Sequence, residues 1–203
     1  MAAADTGGMT EYDALVLAGG AARRLGGVDK PALQVGGRTL LDRVLAACAG
    51  AGSTVVVGPP RDTVRDGVTW TREQPPGGGP VAAVAAGLGR ITAERVLLLA
   101  ADLPFLDPPT VRRLLAALEG SGCEGALLVD AEGRDQPLAA AYRTAALRRT
   151  LAGLGDPDGL PLRRLLAPLD LVRLADRRGA SHDCDTWEEL ARARERAERA
   201  PDG

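Results

Sequence analysis

Apolar residues follow two alternating patterns along most of the chain. Short runs of consecutive apolar residues are typical of strands buried on both faces of a sheet. Between these runs, apolar residues recur every three or four positions, which is typical of helices with one buried face. The consecutive runs predict strands at 13–18, 53–58, 67–71, 95–101, 125–130, 138–142 and 171–174. The helical spacing predicts helices at 39–51, 81–90, 108–118, 145–154, 162–169 and 186–197.

The alternation of strands and helices predicts an α/β fold of three layers, a mostly parallel sheet with helices on both faces. With 203 residues and no repeats or linkers, we expect one domain over residues 1–203. Residues 1–11 and 198–203 are expected to be flexible tails. Ligands of such sheets bind beyond the carboxyl ends of the strands, so we expect the chemistry just after residues 18, 58, 71 and 101.

The overall composition is that of a soluble globular protein, with 45% hydrophobic and 26% charged residues. Aromatic residues make up only 2%, which disfavours the stacking surfaces that bind single-stranded nucleic acid. The 25 basic and 27 acidic residues give a formal net charge of −2, and this leaves no basic field for a polyanion. We therefore expect no nucleic-acid partner.

Neither a membrane nor a secretory location is expected from the sequence. No apolar run approaches the ~20 residues that cross a bilayer. The start of the chain lacks the basic and apolar stretches of a signal peptide, and Met9 is a second candidate start beside Met1. Cys48, Cys123 and Cys184 are too widely spaced for a metal pair, and their odd number does not suit a disulfide framework. We expect buried thiols in a cytoplasmic protein.

The loop after the first predicted strand combines paired glycines with fixed positive charge. Gly19 and Gly20 allow the backbone to pass close to a ligand and turn N–H groups toward it, and Arg24 and Lys30 follow. Backbone donors and two cations suit a triphosphate. Lys30 is the only lysine in the chain, and all the other Lys or Arg positions carry arginine, so a lysine at this position is notable. The alternative is a glycine-rich turn whose arginines are merely solvated.

Acidic residues follow a later strand and precede the last helix. Asp102 ends the most apolar run, where a carboxylate suits Mg²⁺ that bridges phosphates, although it could simply cap the turn before Pro104. Asp183 and Asp185 are two apart in an extended segment, so both share one face and Cys184 takes the other. The alternative for Asp185 is a capping role at the last helix, which Thr186 could also fill.

The segment from Leu17 to Lys30 resembles the signature of the molybdenum cofactor guanylyltransferases, the MobA family of Rossmann-like nucleotidyltransferases. That pattern reads Leu-Ala-Gly-Gly, three variable residues, Arg, a bulky apolar residue, Gly, a short gap and Asp-Lys. The Asp-x-Pro element at Asp102 is similar as well. Asp185 takes the place of the second Asn in the family's Asn-x-Asn-Thr-Pro-Glu-Glu-Leu element, and Trp187 replaces its Pro.

The resemblance implies the nucleotide-diphospho-sugar transferase type of fold and a set of site residues. It assigns catalysis to Arg24, Lys30 and Asp102, and a Mg²⁺ site to Asp102 and Asp185. The implied nucleotide-binding residues are Leu17, Ala18, Gly19, Gly20, Arg24, Lys30, Glu73, Gly79, Pro80 and Asp102. Arg134 and Gln136 are implied on the acceptor side, where Gln136 replaces a His of the family. For the Glu73 to Pro80 region, an ordinary Gly- and Pro-rich surface loop is the alternative.

The activity that this resemblance implies is transfer of GMP from GTP to the phosphate of molybdopterin, with release of pyrophosphate and with Mg²⁺ as cofactor. GTP and molybdopterin are then the small-molecule partners. Contacts with a molybdoenzyme or assembly protein stay open, as does the oligomeric state. Alternatives are the same chemistry with another base or acceptor, such as cytidylyl transfer or a sugar phosphate, and a non-catalytic nucleotide-binding paralogue. Gly19 favours guanine, because the cytidylyl relatives tend to carry Ala there.

Overall fold

A computed structural model of the protein describes residues 12–20 and 25–199. The expectations about residues 1–11, the starting methionine and Arg24 therefore concern positions outside the described residues. The last helix extends to Arg199, so the first two residues of the expected C-terminal tail are helical. Within the described ranges, no helix is long and apolar enough to cross a bilayer.

Within the described residues, seven strands form one sheet, in the order β5-β4-β1-β6-β8-β7-β9. Strand β8 runs antiparallel to both of its neighbours, and the other adjacent pairs are parallel. This confirms the mostly parallel sheet. The strands of this sheet are β1 (Tyr12–Leu17), β4 (Thr54–Val57), β5 (Val68–Thr71), β6 (Arg95–Ala100), β7 (Gly125–Val129), β8 (Asp135–Arg143) and β9 (Leu171–Ala175).

Helices cover both faces of the sheet, as the three-layer prediction requires. Alternate residues of β1 point into different cores: Ala14 and Val16 pack under α1 and α3, and Leu15 packs under α2 and the helices that follow β8. Ala, Val and Leu make up most of both cores, and few aromatic side chains are buried in them. The helices are α1 (Leu40–Ala47), α2 (Gly79–Leu88), α3 (Pro108–Ser121), α4 (Thr144–Leu154), α5 (Leu162–Leu166) and α6 (Trp187–Arg199).

Two small elements were not predicted, and they position the last helix. A 3-10 helix spans Lys30–Ala32, and strands β2 (Gln34–Val35) and β3 (Arg38–Thr39) form a short antiparallel hairpin. Helix α6 packs on this hairpin through a separate apolar cluster that includes Val35 and Leu190. The Arg194 Nε also donates to the carbonyl oxygen of Gln34 at 2.9 Å. The chain before α6 is thereby held beside the loop that follows β1.

A buried carboxylate joins three segments at the edge of the sheet opposite the carboxyl ends of its parallel strands. Asp13, which is 2% exposed, accepts backbone N–H bonds from Ser53 at 2.8 Å, Thr92 at 2.8 Å and Ala93 at 3.0 Å. Burial by itself would raise the pKa of Asp13, but the N–H groups of Ala93 and Thr92 outweigh it, so the pKa lies below its ordinary value of 3.8. The negative charge therefore stabilises the fold.

We expect Asp13→Asn to lower the free energy of unfolding by about 2 kcal/mol at neutral pH, because charge-assisted hydrogen bonds of a buried group are lost. The folded-state pKa lies below the unfolded one, so this stabilisation is present above the unfolded value near 3.8 and is lost as pH falls through the folded value. Urea unfolding of both proteins at neutral pH and in acid measures the difference. Equal stability at neutral pH would contradict the role of the charge.

Candidate functional site

The loops after β1, β4, β5 and β6 meet at the carboxyl edge of the sheet. Where β1 ends, the chain is still bonded to both neighbouring strands, β4 and β6. The Ala18 N–H donates to the Val57 carbonyl oxygen at 2.8 Å, and the Leu17 carbonyl oxygen accepts the Ala101 N–H at 3.0 Å. A side chain at Gly58 would place its Cβ 2.8 Å from the Ala18 carbonyl oxygen, and Gly58 has a positive φ of 153°. Only glycine therefore allows this close crossing at the start of the predicted nucleotide loop.

Lys30 reaches from this loop to two carboxylates that come from distant parts of the chain. Its ammonium group contacts Asp102, which follows β6, and lies 2.5 Å from the Oδ1 of Asp185, which precedes α6. The Lys30 side chain is 11% exposed. Burial would lower the pKa of Lys30, but the charges and hydrogen bonds of Asp102 and Asp185 outweigh it and raise the pKa above its ordinary value. Lys30 is therefore a fixed positive charge at neutral pH.

Asp183 completes an acidic cluster with Asp102 and Asp185. Each of the three residues has one carboxylate oxygen within 4.8 Å of a carboxylate oxygen of the other two. Loss of solvation, followed by the negative charges of Asp102 and Asp185, raises the pKa of Asp183. Clustered carboxylate oxygens are the ligands that hard divalent cations prefer, so the donor set fits such an ion. Asp183 was absent from the metal ligands implied by the resemblance, although the Asp-x-Asp alternation had placed it on the same face as Asp185.

The residue between these carboxylates anchors the segment. Cys184 is buried in the cluster between α6 and the hairpin, as the alternation of an extended segment requires. Burial, with the nearby charge of Asp102, raises the pKa of the Cys184 thiol to about 12. The thiol therefore stays protonated at neutral pH, where it is a poor nucleophile. Its contribution is to packing.

Thr186, rather than Asp185, caps the last helix. The Glu189 N–H donates to the Thr186 Oγ1 at 3.2 Å, and the Thr186 N–H donates to the Glu189 Oε2 at 2.8 Å. This reciprocal pair is a capping box. The two candidate caps of the sequence are thus distinguished, because the carboxylate of Asp185 faces Lys30 and the acidic cluster.

Five more of the predicted nucleotide-binding residues lie at the carboxyl edge of the sheet. Gly79 and Pro80 form the start of α2, directly after the loop that follows β5. The Glu73 Oε1 accepts the Gly77 N–H at 3.0 Å and so closes this loop. Gly19 lies next to the end of β4, since its Cβ position would be 4.0 Å from the Val57 carbonyl oxygen. Gly20 follows with a positive φ of 129°.

The predicted acceptor residues share one partner at the turn between β7 and β8. The Gln136 Nε2 donates to Asp130 at 2.8 Å, and the Arg134 Nε donates to the same carboxylate oxygen at 3.0 Å. Because β8 is antiparallel, its first residues extend beyond the carboxyl end of β6, where Leu99 pairs with Ala139. Arg134 and Gln136 therefore lie at the carboxyl edge of the sheet. Their contact with an acceptor stays a prediction.

Comparison with known proteins places this geometry in a family. The profile described as "MobA-like NTP transferase domain" matches residues 14–175. A molybdenum cofactor guanylyltransferase of Bradyrhizobium sp. (strain ORS 278) is 41% identical over 117 residues, which cover 53% of this chain and 55% of that protein. Another, from Acidiphilium cryptum, is 37% identical over 152 residues, 70% of this chain and 74% of that protein. The chain thus spans only about half the length of the Bradyrhizobium relative.

A solved structure shows the same fold. The molybdopterin-guanine dinucleotide biosynthesis protein A of Archaeoglobus fulgidus superposes with a TM-score of 0.71 at 23% identity, over 93% of this chain and 100% of that one. The nucleotide-diphospho-sugar transferase type of fold is therefore confirmed. The profile match extends from β1 to the end of β9, well over half of the sequence. From this match we conclude that the chain belongs to the family of MobA-like NTP transferases.

Proposed function

We propose that the protein transfers GMP from GTP to the phosphate of molybdopterin and releases pyrophosphate. The observation that carries the proposal is the contact of Lys30 with Asp102 and Asp185 at the carboxyl edge of the sheet. The fold brings Lys30 and an acidic cluster together next to the predicted nucleotide loop, and such an arrangement suits a metal-bound triphosphate. The choice of GTP and molybdopterin follows from the names of the relatives.

The acidic cluster fits Mg²⁺, and Asp102, Asp183 and Asp185 would hold it. When bound, Mg²⁺ neutralises negative charge on the triphosphate. Without a cation these carboxylates would repel both one another and the substrate. Lys30 adds a positive charge beside Asp102 and Asp185.

The chain's own contribution to catalysis is positioning and charge neutralisation. The acceptor phosphate is itself the nucleophile: its oxygen bonds to the α-phosphorus of GTP as the bond to the β-phosphate oxygen breaks and pyrophosphate leaves. No serine, cysteine or histidine nucleophile is required. Lys30 and Arg24 are assigned to the β- and γ-phosphates, where they stabilise the charge on the departing pyrophosphate.

The remaining residues are assigned to the two substrates. Backbone groups from Leu17 to Gly20 and the loop from Glu73 to Pro80 would bind the nucleotide. Within the sheet, the Leu17 carbonyl oxygen already accepts the Ala101 N–H, and the Ala18 N–H already donates to the Val57 carbonyl oxygen. Arg134 and Gln136 would bind the acceptor at the far side of β6.

A catalytic role and a merely binding role predict different products. A nucleotide-binding paralogue would bind GTP without turnover, whereas the proposed enzyme releases pyrophosphate only when molybdopterin is present. Measuring pyrophosphate with each of the four nucleoside triphosphates, with and without molybdopterin, tests the proposed function. Binding without pyrophosphate release would contradict it.

We expect Lys30→Ala to lower kcat on the order of 10² to 10³-fold, because a charge that stabilises the leaving group is removed. Lys30→Arg should restore only part of the rate, since a planar guanidinium cannot reproduce a compact ammonium group. Steady-state kinetics with GTP and molybdopterin measures the effect, and circular dichroism controls for folding. Near-full activity of a folded Lys30→Ala variant would contradict the phosphate role.

GTP should bind more tightly than CTP or ATP. A site that hydrogen-bonds one base rejects the others, because its buried polar groups would be left unpaired. Competition binding in the presence of Mg²⁺ measures the preference. Equal affinity for CTP would refute the choice of guanine and leave nucleotidyl transfer untouched.

The metal role of Asp185 can be separated from helix capping by a matched pair of variants. Asp185→Ala should raise the Mg²⁺ concentration needed for half-maximal activity, and Asp185→Asn should do so only mildly, because the family carries Asn at this position. Asp102→Asn should lose most of the activity at low millimolar Mg²⁺. Titration of activity with Mg²⁺ provides the measurement.

Thr186→Ala is the control for Asp185, because it removes the cap and leaves the carboxylates in place. It should lower the free energy of unfolding by ~1 kcal/mol and leave the Mg²⁺ midpoint unchanged. If Asp185→Ala instead behaved like Thr186→Ala in both measurements, Asp185 would have no part in metal binding.

A further inference from the structure

An arginine outside all the predicted motifs forms a forked ion pair with the residue before Lys30. Arg61, in the loop after β4, donates from Nε to the Asp29 Oδ2 at 2.8 Å and from Nη2 to the Asp29 Oδ1 at 2.6 Å. Its Nη1 donates to the carbonyl oxygen of Pro59 at 2.9 Å, which fixes the guanidinium from its own loop. The pair therefore joins the loops after β4 and β1 across 32 positions of sequence.

Arg61 is the more buried partner of this pair. Its side chain is 14% exposed and that of Asp29 is 51% exposed, whereas the side chains of the Arg134–Glu132 pair are 72% and 66% exposed. A forked, partly buried arginine–carboxylate pair holds its partner in one orientation, which a solvated pair does not. Arg61 can therefore fix the backbone at Asp29.

The backbone at Asp29 needs such an anchor. Gly26 and Gly27 have positive φ angles of 75° and 80°, and glycine backbones are intrinsically permissive. Asp29 is the N-cap residue of the 3-10 helix, yet its side chain makes no capping hydrogen bond. The carboxylate accepts from Arg61 instead.

Lys30 follows Asp29 directly and is the first residue of the 3-10 helix. On its C-terminal side, the Leu33 N–H donates to the Lys30 carbonyl oxygen at 3.0 Å. The Arg61–Asp29 pair and this turn therefore restrain the backbone on either side of Lys30. A lysine side chain has considerable rotamer entropy, and its ammonium group must reach Asp102 and Asp185 together. Small displacements of such a group reduce rates strongly.

We propose that Arg61 is a positioning residue, which acts through Asp29 to direct the ammonium group of Lys30 to the acidic cluster and the triphosphate. The inference rests on the proposed function. Arg61 also neutralises the charge of the Asp29 carboxylate. The pair thus favours the alignment of Lys30 with Asp102 and Asp185.

The kinetic test places Arg61→Ala in two backgrounds. In the wild-type background we expect kcat to fall by about tenfold or more with a smaller change in the KM for GTP, since Lys30 is assigned to the leaving group. In the Lys30→Ala background the same substitution should cause no further loss, because residues that act through one another are not additive. The same fold-loss in both backgrounds would overturn the proposal, since Arg61 would then act independently of Lys30.

Two further variants separate positioning from general support of the loop. Arg61→Lys keeps the charge but not the fork, so its kcat should lie between those of the wild type and Arg61→Ala. Arg65→Ala is the matched control, because Arg65 follows in the same chain segment and donates to the carbonyl oxygens of Leu45 and Cys48 at the end of α1. It should lower the Tm and leave kcat unchanged. A loss of kcat equal to that of Arg61→Ala would overturn the proposal.

A second measurement is independent of turnover and uses the single lysine of the chain. Protein labelled with ¹³C- and ¹⁵N-lysine shows one set of lysine side-chain resonances by NMR. In the wild type we expect the ε-methylene resonances to be displaced from those of a free lysine side chain. Arg61→Ala should move them toward the free position, and Arg65→Ala should not.

The outcomes distinguish a failure of this inference from a failure of the proposed function. Lysine resonances that do not respond to Arg61→Ala would overturn the positioning role, whatever the enzyme's rate. If the wild type released no pyrophosphate, the proposed function would be rejected. A response of the lysine resonances to Arg61→Ala would still establish that Arg61 directs Lys30.

Discussion

The site depends on a cation that lies among carboxylates of like charge. Asp102 and Asp185 approach each other and Asp183 at the end of the sheet, and the ammonium group of Lys30 contacts the first two. Carboxylates at such separations repel each other. The positive charge of Lys30 offsets this repulsion. The chain supplies this charge from a loop far away in sequence.

The rest of the fold brings these groups together from three directions. The parallel strands deliver the loop of Lys30 and the turn of Asp102 to one edge of the sheet. The hairpin and α6 then hold the segment of Asp185 beside them, through an apolar cluster that includes Cys184 and through the capping box of Thr186. Packing on one face of this segment thus places charge on the other.

The two edges of the sheet use carboxylates in opposite ways. Asp13 is surrounded by backbone N–H donors, which stabilise its charge and lower its pKa. Asp183 faces other carboxylates, and its pKa is raised. The first environment favours the charged carboxylate, whereas the second disfavours it. This is the contrast expected between a structural site and a ligand-binding site.

The sequence by itself determined the elements whose pattern depends on near neighbours. Consecutive apolar residues were sufficient to predict the strands of the main sheet, and three-to-four spacing was sufficient for the helices, because burial on two faces or on one face is a local property. The family signature indicated the first loop, and the alternation at 183–185 indicated which side chains share a face. The β2–β3 hairpin was missed because strands of two residues have no detectable periodicity.

Only the tertiary structure decided the features that depend on contacts between distant segments. The apolar run of β8 does not reveal its antiparallel direction, since a buried strand has the same composition in either orientation. Thr186 and Asp185 were equal candidates for the cap until the position of Lys30 distinguished them. The pairing of Arg61 with Asp29 left no local signal. Charge pairs of this kind depend on distance in space, and a pattern of neighbouring residues carries no information about that distance.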